Sequence, residues 1–260
     1  MAQTISSGVD IRVEEGGQGG RGGPTLVLLH GLGANAEVWQ GMLPLVRAEW
    51  PGRWIAPDLR GHGKSGHRGP YSYAGHAADV AGLLQQDEEA IVVGHSMGGA
   101  IGMVLASQWY GVVVRKVIAF GVKIRWTAEE IAKARQLAKA PVRWFDGQAE
   151  AVERYLKVSG LFGLIDPASP AAQSGVRHAN GRYRLASDPL INAAVGPEVA
   201  WLIGAAHAPV RLAAGAKDPM VNLADMLPFD AKAKIFDGAG HNLQVEQPAA
   251  LWQFVRGETL

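Results

Sequence analysis

The sequence predicts a doubly wound, mostly parallel α/β sheet with a mainly helical cap inserted between two of its strands. Three observations carry that expectation. Short continuous apolar runs alternate with helical stretches over residues 1–122, as expected where helices cover both faces of a parallel sheet. The alternation stops at residue 123, and helical patches without a convincing strand follow to residue 206. It then resumes over 207–260. The predicted division is therefore a sheet core of 1–122 and 207–260 and a cap of 123–206. An independent second domain is less favoured, because no linker composition flanks the insertion.

The elements follow in chain order. TISSGVDIRVEE alternates weakly around Gly8 and reads as a hairpin, and the glycine-rich stretch 16–24 reads as an exposed turn. TLVLL (25–29) has strand length, and Asn35 is placed to cap a helix over 35–49. RWIAPD is the next strand, 72–86 a helix, AIVVG a strand, 98–110 a helix and VRKVIAF a strand ending near Phe120. Within the cap, TAEEIAKARQLAK and GQAEAVERYLKVSG are helical. APVRLAAG and AKAKIFDG are the last two strands, separated by a short helix near Leu223, and a helix over 247–255 closes the chain.

Composition removes several classes of function. With 260 residues the chain can bury a substantial core. A net charge of +1 without long single-sign runs gives no reason to expect a nucleic-acid partner. The chain has no cysteine, so disulfides, thiolate zinc sites and cysteine nucleophiles are excluded. No basic segment followed by an apolar one opens the chain, and no long apolar stretch suits a membrane span. The expectation is a soluble cytoplasmic protein whose partner is a small molecule.

Three glycine-rich stretches bear on chemistry. GHGKS (61–65) ends like a P-loop, but the first glycine of that motif would fall at Asp58. GLGANA (31–36) fits G-x-G-x-x-A after an apolar strand, with Asp58 ending the next strand; His30 sits where a dinucleotide fingerprint carries an apolar residue. GHSMG (94–98) is G-x-S-x-G between a strand and a helix. That spacing has a steric reason. A serine exposed at such a sharp bend takes a positive φ, and the residues two before and two after then pass close enough to favour glycine.

A serine hydroxyl needs a base and a group that orients the base. Asp218 in AAGAKDPMV and His241 in GAGHN follow the last two predicted strands, at the same sheet edge as Ser96. Asp225, Asp230 and Asp237 are less well placed. The amides of Leu32 and Met97 are candidates to converge on a carbonyl oxygen as an oxyanion hole. His30 is expected to order that loop, and with Trp126 and Trp144 it is also a candidate for the substrate pocket. His95 is expected to support the bend at Ser96. Asp58, Arg60, His62 and Ser65 are expected to hold a tight loop. His67, His76, His178 and His207 lack metal-ligand spacing and are expected on the surface or in the cap.

LVLLHGLG, WIAPDLRGHGKS, VVGHSMGG, AAGAKDPMV and GAGHNLQVEQP together resemble the α/β-hydrolase superfamily, over nearly the whole chain. The resemblance implies Ser96 as nucleophile, His241 as base, Asp218 as its orienting acid, Leu32 and Met97 as oxyanion donors, and 123–206 as a variable cap. A serine nucleophile argues against the branches that use aspartate, such as haloalkane dehalogenases and epoxide hydrolases. The expected activity is carboxylesterase-like hydrolysis of small or medium apolar acyl esters, with no metal or organic cofactor. Carbon–carbon bond hydrolysis, a lyase step like that of menaquinone-pathway synthases, and ligand binding on the same fold stay open.

Overall fold

The apolar runs pair into one eight-stranded sheet of order β1-β2-β4-β3-β5-β6-β9-β10 in the computed structural model. The structure describes residues 2–6, 8–17, 23–85, 87–195 and 198–259. β1 (Ala2–Ser6) and β2 (Val9–Gly16) form the expected antiparallel hairpin, and β2 pairs antiparallel with β4 (Trp54–Pro57). Every other pairing is parallel, through β3 (Thr25–Leu29), β5 (Glu89–His95), β6 (Val113–Phe120), β9 (Val210–Gly215) and β10 (Lys234–Phe236). Part of the predicted 16–24 turn lies outside the described residues.

The central strands are buried on both faces because their side chains alternate between two cores. Leu26, Leu28, Ile91, Val93, Ile118 and Phe120 point to one core, completed by Leu43, Val46, Leu251 and Trp252 of α1 (Leu43–Glu49) and α10 (Pro248–Thr259). Val27, Leu29, Val92, Val117 and Ala119 point to the other. That core is completed by Ala77, Val80, Ile101 and Leu105 of α2 (Tyr73–Ala81) and α3 (Met97–Leu105).

Three predicted helices are shorter than expected. The 35–49 stretch divides into a 3-10 turn (Ala36–Trp39) and α1, with Asn35 accepting from the Glu37 amide at 3.0 Å. Pro44 explains the break: it has no N–H, and its ring would clash with the carbonyl four residues earlier in a continuous helix. α2 is capped by Ser72, which accepts from the Gly75 amide, and it closes at Gly82. α3 closes before Ser107, whose hydroxyl donates to the Val104 carbonyl at 2.7 Å.

Between β6 and β9 the chain forms α4 (Ala128–Ala138), α5 (Gln148–Val158), α6 (Pro170–Gln173), a 3-10 segment (Pro189–Ala194) and α7 (Val199–Ala205). The strand-free expectation fails here. β7 (Val176–Ala179) and β8 (Arg182–Leu185) form an antiparallel hairpin. Its turn is Asn180-Gly181, both at positive φ, which is the strongest two-residue hairpin signal a sequence carries. α7 packs on α3 through Val199 and is the crossover helix that leads into β9. After β9 come α8 (Leu223–Met226) and, before α10, α9 (Leu243–Glu246). Among the described residues no helix is long and apolar enough to cross a membrane.

Phe120 is fully buried, with its ring edge-on to Trp39 and stacked near His95. Phe120→Ala should lower the unfolding free energy by about 3–5 kcal/mol, read as a shift of the urea midpoint at unchanged slope.

Candidate active site

Strand order places the site. The chain runs β3, β4 on one side and then β5 on the other, so the loops leaving β3 and β5 open side by side at the carboxyl edge, where open α/β sheets carry ligands. β5 ends at His95, α3 begins at Met97, and Ser96 alone makes the turn, at φ 51° and ψ −116°. A serine with positive φ is strained. Its backbone is fixed from both sides: the Ser96 amide donates to the Phe120 carbonyl at 2.8 Å, and the Ser96 carbonyl accepts from Gly99 at 3.0 Å. The close approach of the two glycines foreseen from GHSMG is met at Gly94, whereas at Gly98 the crowding comes from the end of β3. A Cβ on Gly94 would lie 2.4 Å from the Gly99 amide nitrogen, and one on Gly98 would lie 2.3 Å from the Leu29 carbonyl oxygen. The Ser96 side chain does not cap α3, so its hydroxyl is not consumed by the helix.

Ser96 and His241 line one cavity of about 330 Å3. Asp218, on the turn after β9, and His241, on the turn after β10, meet with His241 Nδ1 2.8 Å from Asp218 Oδ2. The carboxylate accepts only, so Nδ1 carries the proton and Nε2 of the neutral ring keeps its lone pair. The other Asp218 oxygen accepts from the Met220 amide at 2.8 Å. The Leu32 and Met97 amides have no hydrogen-bond partner among the described residues, and both residues line the cavity.

Several supports were not legible in the sequence. The two oxygens of Glu246 accept from the amides of Gly240 (2.6 Å) and Asn242 (2.9 Å), clamping the backbone on either side of His241. His95 Nε2 donates to the His241 carbonyl at 3.0 Å. Asn242 donates from Nδ2 to the carbonyls of Gly160 (3.0 Å) and Ser159 (3.4 Å), just past α5. No motif announces these contacts; the nearest signal is the density of polar side chains in HNLQVE.

The pocket residues divide. Trp126 lines the cavity, beneath the Lys123 ammonium. Trp144 is not among the residues lining it; the centre of its ring lies 5.9 Å from the Arg184 guanidinium. His30 does not line it either, being fully buried below the loop. Its Nδ1 donates to the Gly31 carbonyl (2.8 Å), and its Nε2 accepts from the Leu59 amide (2.9 Å). Its place is therefore the loop-ordering one also expected for it. Asp58 accepts from the amides of Ala36 and Lys64, both at 2.8 Å, and Ser65 donates to the Asp58 carbonyl, which builds the tight loop foreseen there.

With this geometry in place, the comparisons with known proteins are unambiguous about class. The alpha/beta hydrolase family model matches residues 26–254, and the chain belongs to that family. Lipase LipV of Mycobacterium tuberculosis is 30% identical over 184 residues, 67% of this chain and 66% of the lipase. Other curated relatives match over shorter stretches, between 28% and 36% of their own length. The pimeloyl-[acyl-carrier protein] methyl ester esterase of Edwardsiella ictaluri is 44% identical over 82 residues, 32% of this chain and 30% of that enzyme. Among solved structures, the thioesterase domain from the curacin biosynthetic pathway superposes with a TM-score of 0.78 at 20% identity, covering 98% of each chain. E-2-(acetamidomethylene)succinate hydrolase gives 0.78 at 22% identity, covering 98% of this chain and 97% of its own. At these identities the two structures share the fold. The relatives support a hydrolase with esterase- and lipase-like kin.

Beneath the site lies a set of buried histidines that the sequence placed on the surface or in loops. His76 is buried, not exposed, and its ring stacks on Tyr71 and approaches His62, which packs edge-on to His30. Burial lowers His30 to about 4 and His76 to about 3, and holds His62 and His95 well below the usual imidazole value. Neighbouring His62 and the Arg60 guanidinium depress His76 further. These rings stay neutral in the folded chain, while in the unfolded chain they take up protons below about pH 6.5. Stability is therefore complete above that pH and falls as the pH drops toward the folded values. Each ring contributes a slope of up to about 1.4 kcal/mol per pH unit. Urea midpoints should drop steeply from pH 7 to pH 5, and His76→Phe should flatten that dependence. A midpoint constant over this range would contradict the neutral cluster.

Proposed function

We propose that the chain is a serine carboxylesterase that cleaves esters of small or medium apolar acyl groups through an acyl-enzyme. The observation that carries this reading is the 2.8 Å contact of His241 Nδ1 with Asp218, on a histidine that shares its cavity with the strained Ser96. His241 Nε2 takes the proton of Ser96 Oγ as Oγ attacks the ester carbonyl. The tetrahedral oxyanion rests on the Leu32 and Met97 amides, and a donor of that kind contributes about 2.7–4 kcal/mol to the transition state. The alcohol leaves with the proton that His241 returns. Water, deprotonated by the same nitrogen, then attacks the acyl-enzyme; the acid departs and the serine recovers its proton. Asp218 stays ionised and holds the ring in the required tautomer.

We propose further that 123–206 acts as the cap over this site, with α7 as its return leg. Support comes from the insertion's residues in the cavity lining, among them Trp126, Lys157 and Ser159. The apolar acyl preference is supported by Val122, Val158, Val195 and Val199 in the same lining.

Ser96→Ala should reduce hydrolysis of p-nitrophenyl butyrate by at least about 10⁴-fold, and Asp218→Asn by a comparable factor. Wild type and Ser96→Ala hydrolysing alike would sink the esterase reading. A fluorophosphonate should add to Ser96, as mapped by peptide mass. An unlabelled Ser96 in folded protein would favour ligand binding without acyl transfer.

A further inference from the structure

A second cavity of about 390 Å3 adjoins the first, and the two share Leu32 and Val158 in their walls. Leu32 belongs to the loop after β3, and Val158 ends α5. Val158 leans on that loop, with its Cγ1 3.5 Å from where a Cβ on Gly33 would lie. The second cavity therefore begins beside the amide proposed to hold the substrate's carbonyl oxygen. Part of its wall is apolar, including Leu137, Val142, Phe145 and Ile191.

The remainder is cationic. Arg143, Arg154 and Arg184 line this cavity against a single carboxylate, that of Asp188. Asp188 is already engaged, accepting from the Tyr71 hydroxyl at 2.8 Å and the Leu190 amide at 3.0 Å. Arg143 pairs with the exposed Glu150 at 3.2 Å. Among the described residues Arg184 makes only long hydrogen bonds to carbonyls, 3.3 Å to Leu185 and 3.4 Å to Ser187. Arg154 has no hydrogen-bond or ion-pair partner among the described residues. Among the described residues, two of the three guanidiniums thus pair with no carboxylate. The surplus extends behind them: Arg177 bonds the carbonyls of Gly63 and Ser65, and its own pKa is lowered by burial and then by Arg184. His67 nearby is lowered to about 4 by burial and by Arg177 and Arg184.

We propose that the second cavity is a subsite for an anionic group at the far end of the ester substrate, reached by an apolar chain that passes between Leu32 and Val158. The substrate class is thus an ester carrying a terminal carboxylate or phosphate. Guanidinium suits either group, because its planar fork matches two oxygens at once. The inference rests on the esterase reading for where the chain starts, while the recognition of the anion belongs to the arginines.

The test has two kinetic arms and one binding arm. In the first, monomethyl esters of linear dicarboxylic acids are compared with the dimethyl esters of the same lengths, which places the anion on the acyl side. In the second, the butyrate ester of an ω-phosphoalkanol is compared with that of the unphosphorylated alkanol, which places it on the leaving group. At low ionic strength the anionic member of one pair should be favoured about two- to fivefold in kcat/KM, the scale of one solvent-exposed ion pair. Added salt should compress that ratio. The double variant Arg154→Gln/Arg184→Gln should bring the ratio close to one, whereas general damage to the fold would lower both rates together. In the binding arm, calorimetry on Ser96→Ala should show tighter binding of monomethyl suberate than of dimethyl suberate, with the difference lost in the arginine variant. Absence of any anion preference in all three arms, or a preference that survives both arginine substitutions, overturns the subsite. If no ester is turned over, the esterase reading falls, and the binding arm still decides the subsite.

Discussion

The site depends on how closely α3 packs back onto β3 and β5. At Gly94 and Gly98 the backbones approach until no side-chain carbon fits between them. That contact leaves Ser96 no ordinary conformation, and hydrogen bonds to Phe120 and from Gly99 hold it in the strained one. Strain of this kind costs of order 1–3 kcal/mol and persists only where the surroundings over-determine it. Here the surroundings are a sheet buried on both faces, whose two cores take alternate residues of the same three strands. The bend aims the serine and also exposes the first amide of α3 at its side.

The remaining groups stand on turns, and turns need separate anchors. His30 spans the Gly31 carbonyl and the Leu59 amide, joining the loops after β3 and β4. Asp58 gathers two amides from the same pair of loops. Glu246 and His95 fix the backbone around His241. Each anchor is buried or nearly so, and the histidines among them act as neutral hydrogen-bonding rings, which is the form burial selects. The region is therefore ordered by polar side chains bonded to backbone, with few side-chain pairs.

Much of this was legible in the amino-acid order, and the boundary is physical. Strands buried on both faces leave continuous apolar runs, so the central parallel strands could be located. Ser96 and its glycines were legible because the sterics of the bend act over five consecutive residues. Asp218 and His241 followed from their positions after strands. What escaped depends on contacts far apart in the chain. Glu246 stands just before the predicted closing helix with nothing to mark it until its oxygens meet Gly240 and Asn242, and Trp144 could not be told from Trp126 without the path of the insertion. The β7–β8 hairpin is a different failure. Its Asn-Gly turn was plainly present, but the surrounding helical patches outweighed a strand pair only four residues long on each side.

The two bonds from Asn242 to the end of α5 tie the histidine loop to the inserted segment. They act as a mechanical linkage. If the end of α5 moves away from the sheet, either these bonds break or the loop carrying His241 is dragged along. Space above Ser96 and the placement of His241 are thus not independent adjustments. A larger guest that props the insertion outward would also loosen the imidazole beneath it, so the fit of the guest is registered at the turn that carries His241.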